Sequence, residues 1–157
     1  MDFTLSQEHQ EFADSVARFA KDKLAPGALE RAHSPHYPWE TAKMLSEQGL
    51  LGITFSEEDG GQGGTLMHAV LAIQQVALHC PKSADIVQAG NFGPIRTFVE
   101  YASPEQKQRF LPDLLGGKKL ISLGMTEPDA GSAVNELKTS ARSEEHTSEL
   151  QSPVHLV

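Results

Sequence analysis

The sequence predicts a mainly α chain in which a helical bundle is followed by the first strands of a β domain cut short. Three observations carry this. Five stretches before residue 116 repeat their apolar residues at helical spacing. From Leu120 the pattern switches to strict alternation. The extended residues that follow are too few to stand as a sheet by themselves in water. The expected organisation is therefore a helical domain over residues 1–118 and the start of a β domain over 119–141. Residues 142–157 are expected to be a disordered or irregular tail.

Ser6, with Thr4 as the alternative, offers the N-cap oxygen of a first helix whose Phe12, Val16, Phe19 and Ala20 fall on one face. Leu24-Ala25-Pro26-Gly27 stops it. Pro35 and Pro38 make residues 31–38 a loop. A short helix over residues 39–48 turns Met44 and Leu45 inward and ends at Gly49. Four glycines make residues 56–64 a loop. Residues 65–79 carry Leu66, Met67, Val70, Leu71, Ile73, Val76 and Leu78, with no Asp, Glu, Lys or Arg. Such a helix is expected inside a bundle, its polar His68, Gln75 and His79 on one narrow line.

Residues 83–102 are helical in character but hold Gly90, Gly93 and Pro94, so a kink or break is expected at Pro94. Ser103-Pro104-Glu105-Gln106 reads as an N-cap, a proline at the first helical position and a capping-box glutamine. That helix carries Phe110, Leu111, Leu114 and Leu115, is disturbed at Pro112, and stops at Gly116-Gly117. Ile121, Leu123 and Met125 then alternate with Ser122, Gly124 and Thr126 as a strand, and residues 127–132 form a turn. A second extended piece is expected over residues 137–141.

Composition narrows the function. The chain has 157 residues, 13 Lys+Arg against 21 Asp+Glu and a net charge of −8, which disfavours an electrostatic nucleic-acid binder. Cys80 is the single cysteine, so a disulfide framework and a cysteine zinc cluster are excluded. No apolar run reaches the roughly 18 residues of a membrane span. The start Met1-Asp2-Phe3-Thr4 lacks a basic, apolar leader, and a cytoplasmic location is expected.

The alternating strand is the first place for chemistry. Its small face, Ser122, Gly124 and Thr126, leaves room for a flat ligand, and the turn adds free backbone N–H groups with the Thr126 and Ser132 hydroxyls. The same pattern also describes an ordinary edge strand entering a Pro-Gly turn. Elsewhere the residues read as structural. Glu57, Glu58 and Asp59 form a solvated loop rather than a metal site, His33 and His36 sit in a proline-broken loop, and His68 and His79 are interior polar groups. Cys80 reads as an inert buried thiol.

Gly124-Met125-Thr126-Glu127-Pro128-Asp129-Ala130-Gly131-Ser132 resembles the first signature of the acyl-CoA dehydrogenase family. Three stretches fit the family in order: Asp2-Phe3-Thr4-Leu5-Ser6, Gly49-Leu50-Leu51-Gly52-Ile53 and Glu57-Glu58-Asp59-Gly60-Gly61-Gln62-Gly63. Glu105-Gln106-Lys107-Gln108-Arg109-Phe110-Leu111-Pro112 is similar to its pre-barrel helix. The resemblance spans residues 2–141. It implies flavoenzymes built of a helical domain, a β-barrel and a second helical domain, so that this chain would be the N-terminal helical bundle and the first strands of an incomplete β-barrel.

By that resemblance the backbone of Leu123, Gly124 and Met125 and the Thr126 hydroxyl hold the flavin of FAD, and Ser132 contacts FAD phosphate or the CoA of the substrate. Ala133 departs from the family's aspartate, which weakens the Ser132 assignment. Gln88 and Phe92, in the broken segment 88–95, would line the acyl pocket; a helix bent for packing alone is the other reading. The family oxidises acyl-CoA to trans-2-enoyl-CoA, with a glutamate taking the α-proton, flavin N5 the β-hydride, and an electron-transfer flavoprotein the electrons. No residue here matches that glutamate, so the chain is expected to be inactive alone and to bind FAD poorly. Full-length relatives are commonly homo-oligomers. The rivals are the front end of an acyl-CoA oxidase-like flavoprotein and a stand-alone helical binding module.

Arg142-Ser143-Glu144-Glu145-His146-Thr147-Ser148-Glu149-Leu150-Gln151-Ser152 resembles the in-frame translation of a common DNA-sequencing adapter, and is expected to be foreign to the protein. It holds one Arg and three Glu, so the rest of the chain carries −6 of the total charge of −8.

Overall fold

The computed structural model describes residues 4–144 and 147–151, with side chains over residues 4–140. The chain forms two compact units, Met1–Ser122 and Leu123–Val157.

In the first unit, helix α1 (Gln7–Phe19) starts where Ser6 Oγ accepts the His9 N–H at 3.3 Å. It runs without a break into one π-helical turn, Ala20–Leu24, in which the Ala25 N–H donates to the Ala20 carbonyl, five residues back, at 2.9 Å. Val16, Ala20 and Leu24 all face the core. Helix α2 (Ala28–His33) follows Gly27, whose φ of 71° makes the corner. The loop expected from residue 31 therefore starts three residues later. Ala28, Leu29, Glu30 and Arg31 are good helix formers and extend a turn up to the first proline.

Helix α3 (Trp39–Glu47) ends as expected at Gly49. The Leu50 N–H reaches the Leu45 carbonyl at 3.0 Å and the Gly49 N–H reaches Ser46 at 2.8 Å, a Schellman closure that directs Leu50, Leu51 and Ile53 into the core. Helix α4 (Leu66–Ala77) is capped by Thr65, whose hydroxyl accepts the His68 N–H while the His68 ring accepts the Thr65 N–H at 3.2 Å. Helices α5 (Pro81–Ala89), α6 (Pro94–Tyr101) and α7 (Pro104–Leu115) each carry proline at the start, where the missing N–H costs nothing. The break expected at Pro94 is the junction of α5 and α6. The Ser103–Gln106 capping box forms at α7, which continues through Pro112.

Helix α4 packs against α1 and α5, while α5 also meets α2 and α3. Their shared core contains Val16, Leu24, Leu45, Leu50, Ile53, Val76 and Val87. A second cluster, Phe55, Ile95, Leu111, Leu114 and Leu115, fastens α6 and α7 to the loop after α3. One expectation fails here. Helix α4 is not buried all round: Ala69, Ala72 and Val76 are enclosed, but Leu66, Met67, Val70 and Leu78 lie open. The neighbours of α4 cover only part of its circumference.

Residues 120–126 were expected as a strand and form none. Among the described residues, none of their backbone groups makes a backbone–backbone hydrogen bond. Alternation supplies two faces, but a ladder needs a neighbouring strand to pair with. In the second unit Glu127 and Ala130 exchange both backbone hydrogen bonds, at 3.0 and 3.2 Å, which closes the expected turn. A 3-10 turn, Val134–Glu136, follows. Strands β1 (Ser140–Glu144) and β2 (Thr147–Gln151) then pair antiparallel, Ser140 opposite Gln151 and Glu144 opposite Thr147. This corrects the irregular course expected for the tail at residues 142–144 and 147–151. A hairpin finds its partner locally, which residues 120–126 cannot. The rest of that tail, residues 145–146 and 152–157, lies outside the described residues.

Candidate functional site

Among the described residues, the backbone N–H and C=O groups of residues 123–126 have no backbone partners. Leu123 and Met125 stand about half exposed. Gly124 is open: a Cβ built there would meet nothing within 4 Å. Thr126 is exposed, and among the described residues its hydroxyl makes no hydrogen bond; the same holds for exposed Ser132. These groups match a surface that receives a flat, polar-edged ligand.

The turn between Thr126 and Ser132 is braced from a position the sequence did not reveal. The Glu127 carboxylate accepts the Lys138 N–H at 2.9 Å, the Thr139 N–H at 2.7 Å and the Thr139 hydroxyl. The Thr139 hydroxyl, together with these backbone donors, holds the Glu127 carboxyl below the usual carboxylate range. A carboxylate committed to three donors is a weak base and a good brace. Glu127 was legible as a turn residue; its partner Thr139, a dozen residues on, was not.

Gln88 and Phe92 lie together in the first unit. The Gln88 carbonyl accepts the Asn91 and Phe92 N–H groups at 3.1 and 2.9 Å, which winds the chain once beyond α5. The Gln88 side chain is exposed, whereas Phe92 is half-buried against the main core. Gly90 permits a close approach, since a Cβ there would lie 2.6 Å from Leu51 Cδ2. Gly93 serves conformation instead, with φ 65° and open space around it.

Between Gln88 and Phe92, Asn91 is completely buried. It accepts the Ile53 N–H and donates to the Leu50 and Val87 carbonyls, at 2.9 and 2.8 Å. Sequence reading passed over it; a polar residue beside a glycine in a broken helix was the available signal.

Several other chemistry-bearing residues make structural contacts. Cys80 is buried at the N-cap of α5 and accepts from Ser83 Oγ at 3.0 Å. Burial works to raise its thiol pKa, but hydrogen bonds from Ser83 and Arg31 together outweigh it and hold the value below the usual one. His68 caps α4, with Nε2 3.5 Å from Glu8 and its ring 4.7 Å from that of His9. Asp59 and Lys107 pair at 3.1 Å beside a cavity of about 770 Å³, between the glycine loop and α7. None of the residues that the sequence proposed for cofactor or substrate contact, Leu123, Gly124, Met125, Thr126, Ser132, Gln88 and Phe92, lines that cavity, whereas Glu58 and Asp59 of the acidic loop do. Among the described residues, no three His, Cys, Asp or Glu side chains are placed to hold a metal ion. No helix among them is long and apolar enough to cross a membrane.

Comparison with known proteins gives the frame. Residues 6–118 match the family model described as acyl-CoA dehydrogenase, N-terminal domain. The 3-sulfinopropanoyl-CoA desulfinase of Paraburkholderia xenovorans (strain LB400) is 35% identical over 139 residues, 88% of this chain and 36% of that protein. The short-chain-specific acyl-CoA dehydrogenase of Clostridium acetobutylicum is 33% identical over 131 residues, 83% of this chain and 35% of that protein. Among solved structures, a glutaryl-CoA dehydrogenase from Mycobacterium smegmatis in complex with FADH2 superposes with a TM-score of 0.81 at 27% identity, over 93% of this chain and 38% of that one. The chain thus spans little more than a third of the length of these relatives.

Proposed function

The chain belongs to the acyl-CoA dehydrogenase family, and on that premise we propose that it is the N-terminal portion of an FAD-dependent oxidoreductase acting on an acyl-CoA thioester. The observation that carries the reading is the unpaired backbone of residues 123–126 beside open Gly124 and the free Thr126 hydroxyl. Both named relatives act on CoA thioesters, and the M. smegmatis neighbour holds FADH2. Bound flavin supplies a hydride acceptor for oxidation of the acyl chain.

The chain's own residues bind and orient. The N–H and C=O groups of Leu123, Gly124 and Met125 offer hydrogen bonds to the polar edge of the isoalloxazine, and Thr126 adds a hydroxyl. Gly124 keeps the ring face clear. Ser132 contacts FAD phosphate or the CoA of the substrate, and Gln88 and Phe92 border the acyl chain. The product is the trans-2-enoyl-CoA, with electrons passed to an electron-transfer flavoprotein. Removing the α-proton needs a carboxylate with an available lone pair, and Glu127 is already committed to Lys138 and Thr139. The glutamate that takes this proton in the family has no counterpart among residues 1–141, so the base would come from another part of the protein and the 157-residue chain by itself would not turn over. Complete, the enzyme is a cytoplasmic homo-oligomer.

The test joins residues 1–141 to the portion of the M. smegmatis glutaryl-CoA dehydrogenase beyond the matched region. This chimera should retain flavin through dialysis, and Gly124→Val with Thr126→Ala should abolish that retention. The 157-residue chain should show neither bound flavin nor acyl-CoA oxidation. Turnover by that chain alone, or flavin binding by the chimera that ignores both substitutions, would overturn the reading.

A second reading has its own support. The desulfinase is 35% identical to this chain, so carbon–sulfur cleavage on a CoA thioester is a reaction known within reach of this sequence. Sulfite release from 3-sulfinopropanoyl-CoA by the complete protein would select it over dehydrogenation.

A further inference from the structure

The cavity between the glycine loop and α7 has walls that are set before anything enters it. Four consecutive N–H groups of the loop, Gly61 to Gly64, donate to the carbonyls of Ser56, Gly52, Phe55 and Ile53 at 2.7–3.0 Å, so the loop is fixed by its own backbone. At Gly61 a Cβ would fall 2.4 Å from the Phe55 carbonyl oxygen, which leaves no room even for a methyl group. The opposite wall is the capped helix α7. Lys107 Nζ reaches Asp59 Oδ2 at 3.1 Å and ties the two walls together, with both side chains mostly buried. Leu51, Leu111 and Leu115 give the space between them an apolar lining.

Volume and charge decide what fits. About 770 Å³ is far more than the roughly 30 Å³ share of one water, and it falls within the range of about 300–1,000 Å³ of small-molecule sites. Lys107, the cation of the lining, is matched by Asp59. The Glu58 carboxylate lines the cavity too, and it makes no ion pair or hydrogen bond among the described residues. One negative charge is therefore left over beside an apolar lining. An anion would meet that carboxylate with the lysine already engaged. A neutral apolar molecule would take water from the carboxylate and return no partner. A singly charged cation on an apolar body satisfies both surfaces. The side-chain amides of Gln62 and Gln108, likewise without partners, add acceptors for its N–H groups.

We propose that this cavity is a binding site for a small organic monocation, a primary ammonium or guanidinium carried on an apolar body, with Glu58 as its counter-ion. All the lining residues lie between Ser46 and Gly116, so the site is independent of the flavin reading of residues 123–132.

The test titrates the 157-residue chain with phenethylamine and follows backbone amide resonances by NMR. Those of Gly60, Gln62 and Lys107 should shift. Phenethyl alcohol and phenylacetate, the same ring with a neutral or an anionic end, should bind at least tenfold more weakly. Glu58→Gln, at an exposed loop position, should weaken the amine at least tenfold. Glu30→Gln on α2 removes the same charge outside the cavity and should leave binding unchanged. Gln108→Arg, at an exposed position of α7, sets a permanent cation in the other wall and should weaken the amine as much, which covers the case of a loop disturbed by Glu58→Gln. No shift at millimolar amine, shifts confined to residues outside the cavity, equal affinity for the three probes, or undiminished binding in Glu58→Gln or Gln108→Arg would each refute the site.

Discussion

Asn91 accepts the backbone N–H of Ile53 through its side-chain oxygen at 2.6 Å, joining the break between α5 and α6 to the loop that follows α3. Its amide nitrogen donates to Leu50 and Val87, so one fully buried side chain satisfies three main-chain groups on two segments. Gln88 and Phe92 stand on either side of it. The segment proposed to border the acyl chain is therefore held at its centre, and the bent-for-packing alternative describes the same latch.

Asn91→Ala strands the Ile53 N–H and two carbonyls away from water. Each such group costs about 1–3 kcal/mol, and partial relaxation brings the expected loss to about 3–5 kcal/mol in urea unfolding. Asn91→Asp keeps the acceptor for Ile53 but sets a carboxylate against two carbonyl oxygens. Burial raises that carboxyl's pKa, so this variant should recover stability as the pH falls through its folded pKa, where the protonated form can donate. Equal stability of both variants at neutral pH and at acid pH would contradict the latch.

Gly117 and Gly90 should differ in their tolerance of a methyl group. At Gly117 a Cβ would lie 2.6 Å from the Ala42 carbonyl carbon, with φ at 66°, so both backbone and conformation resist it. At Gly90 the clash is with the flexible end of Leu51. Gly117→Ala is expected to cost about 3–4 kcal/mol and Gly90→Ala about 1–3 kcal/mol. Thermal or urea denaturation of the two variants measures the order.

The brace at Glu127 should be sensitive to acid. Its folded pKa lies below the ordinary glutamate value, so the stabilisation it provides is complete above that ordinary value and is lost as the pH falls through the lower, folded one. The backbone amide resonances of Lys138 and Thr139 should shift together in that lower window, as the carboxylate they donate to takes up a proton. In Glu127→Gln the same resonances should not titrate with it. A midpoint at or above 4.5 would count against the brace.

Removing the α7 cap tests the second cluster. Ser103 Oγ accepts the Gln106 N–H, while the Gln106 side chain accepts the Ser103 N–H at 2.8 Å. Ser103→Ala should cost about 1 kcal/mol. The loss should appear as faster hydrogen exchange in the first turn of α7, with α1 and α4 unchanged.

Short-range chemistry made most of the fold legible. Ser6, Gly49 and Ser103 act within a few residues of themselves, and their caps and stops stand where the pattern puts them. What escaped the sequence depends on distant partners. Asn91 meets Ile53 across 38 residues and Glu127 meets Thr139 across 12, and nothing local to either residue names its partner. Residues 120–126 show the converse, since alternation describes a strand's two faces and says nothing of whether a partner lies alongside. The open arc of α4 was misread for a related reason: composition reports that a face is apolar, not whether anything covers it. For the candidate site, the small residues and the turn were readable, and the brace that steadies them was not.

The wide turn Ala20–Leu24 has a consequence for how this helix tolerates length changes. Val16, Ala20 and Leu24 are spaced by four, and a uniform helix would carry that row steadily round its axis and away from the core. The one i→i+5 loop absorbs a surplus residue and keeps Leu24 pointing inward. Shortening the chain by one solvent-facing position there, such as Lys21, would tighten the loop to ordinary pitch and leave both flanks in register. The same deletion one turn earlier would swing everything after it out of alignment.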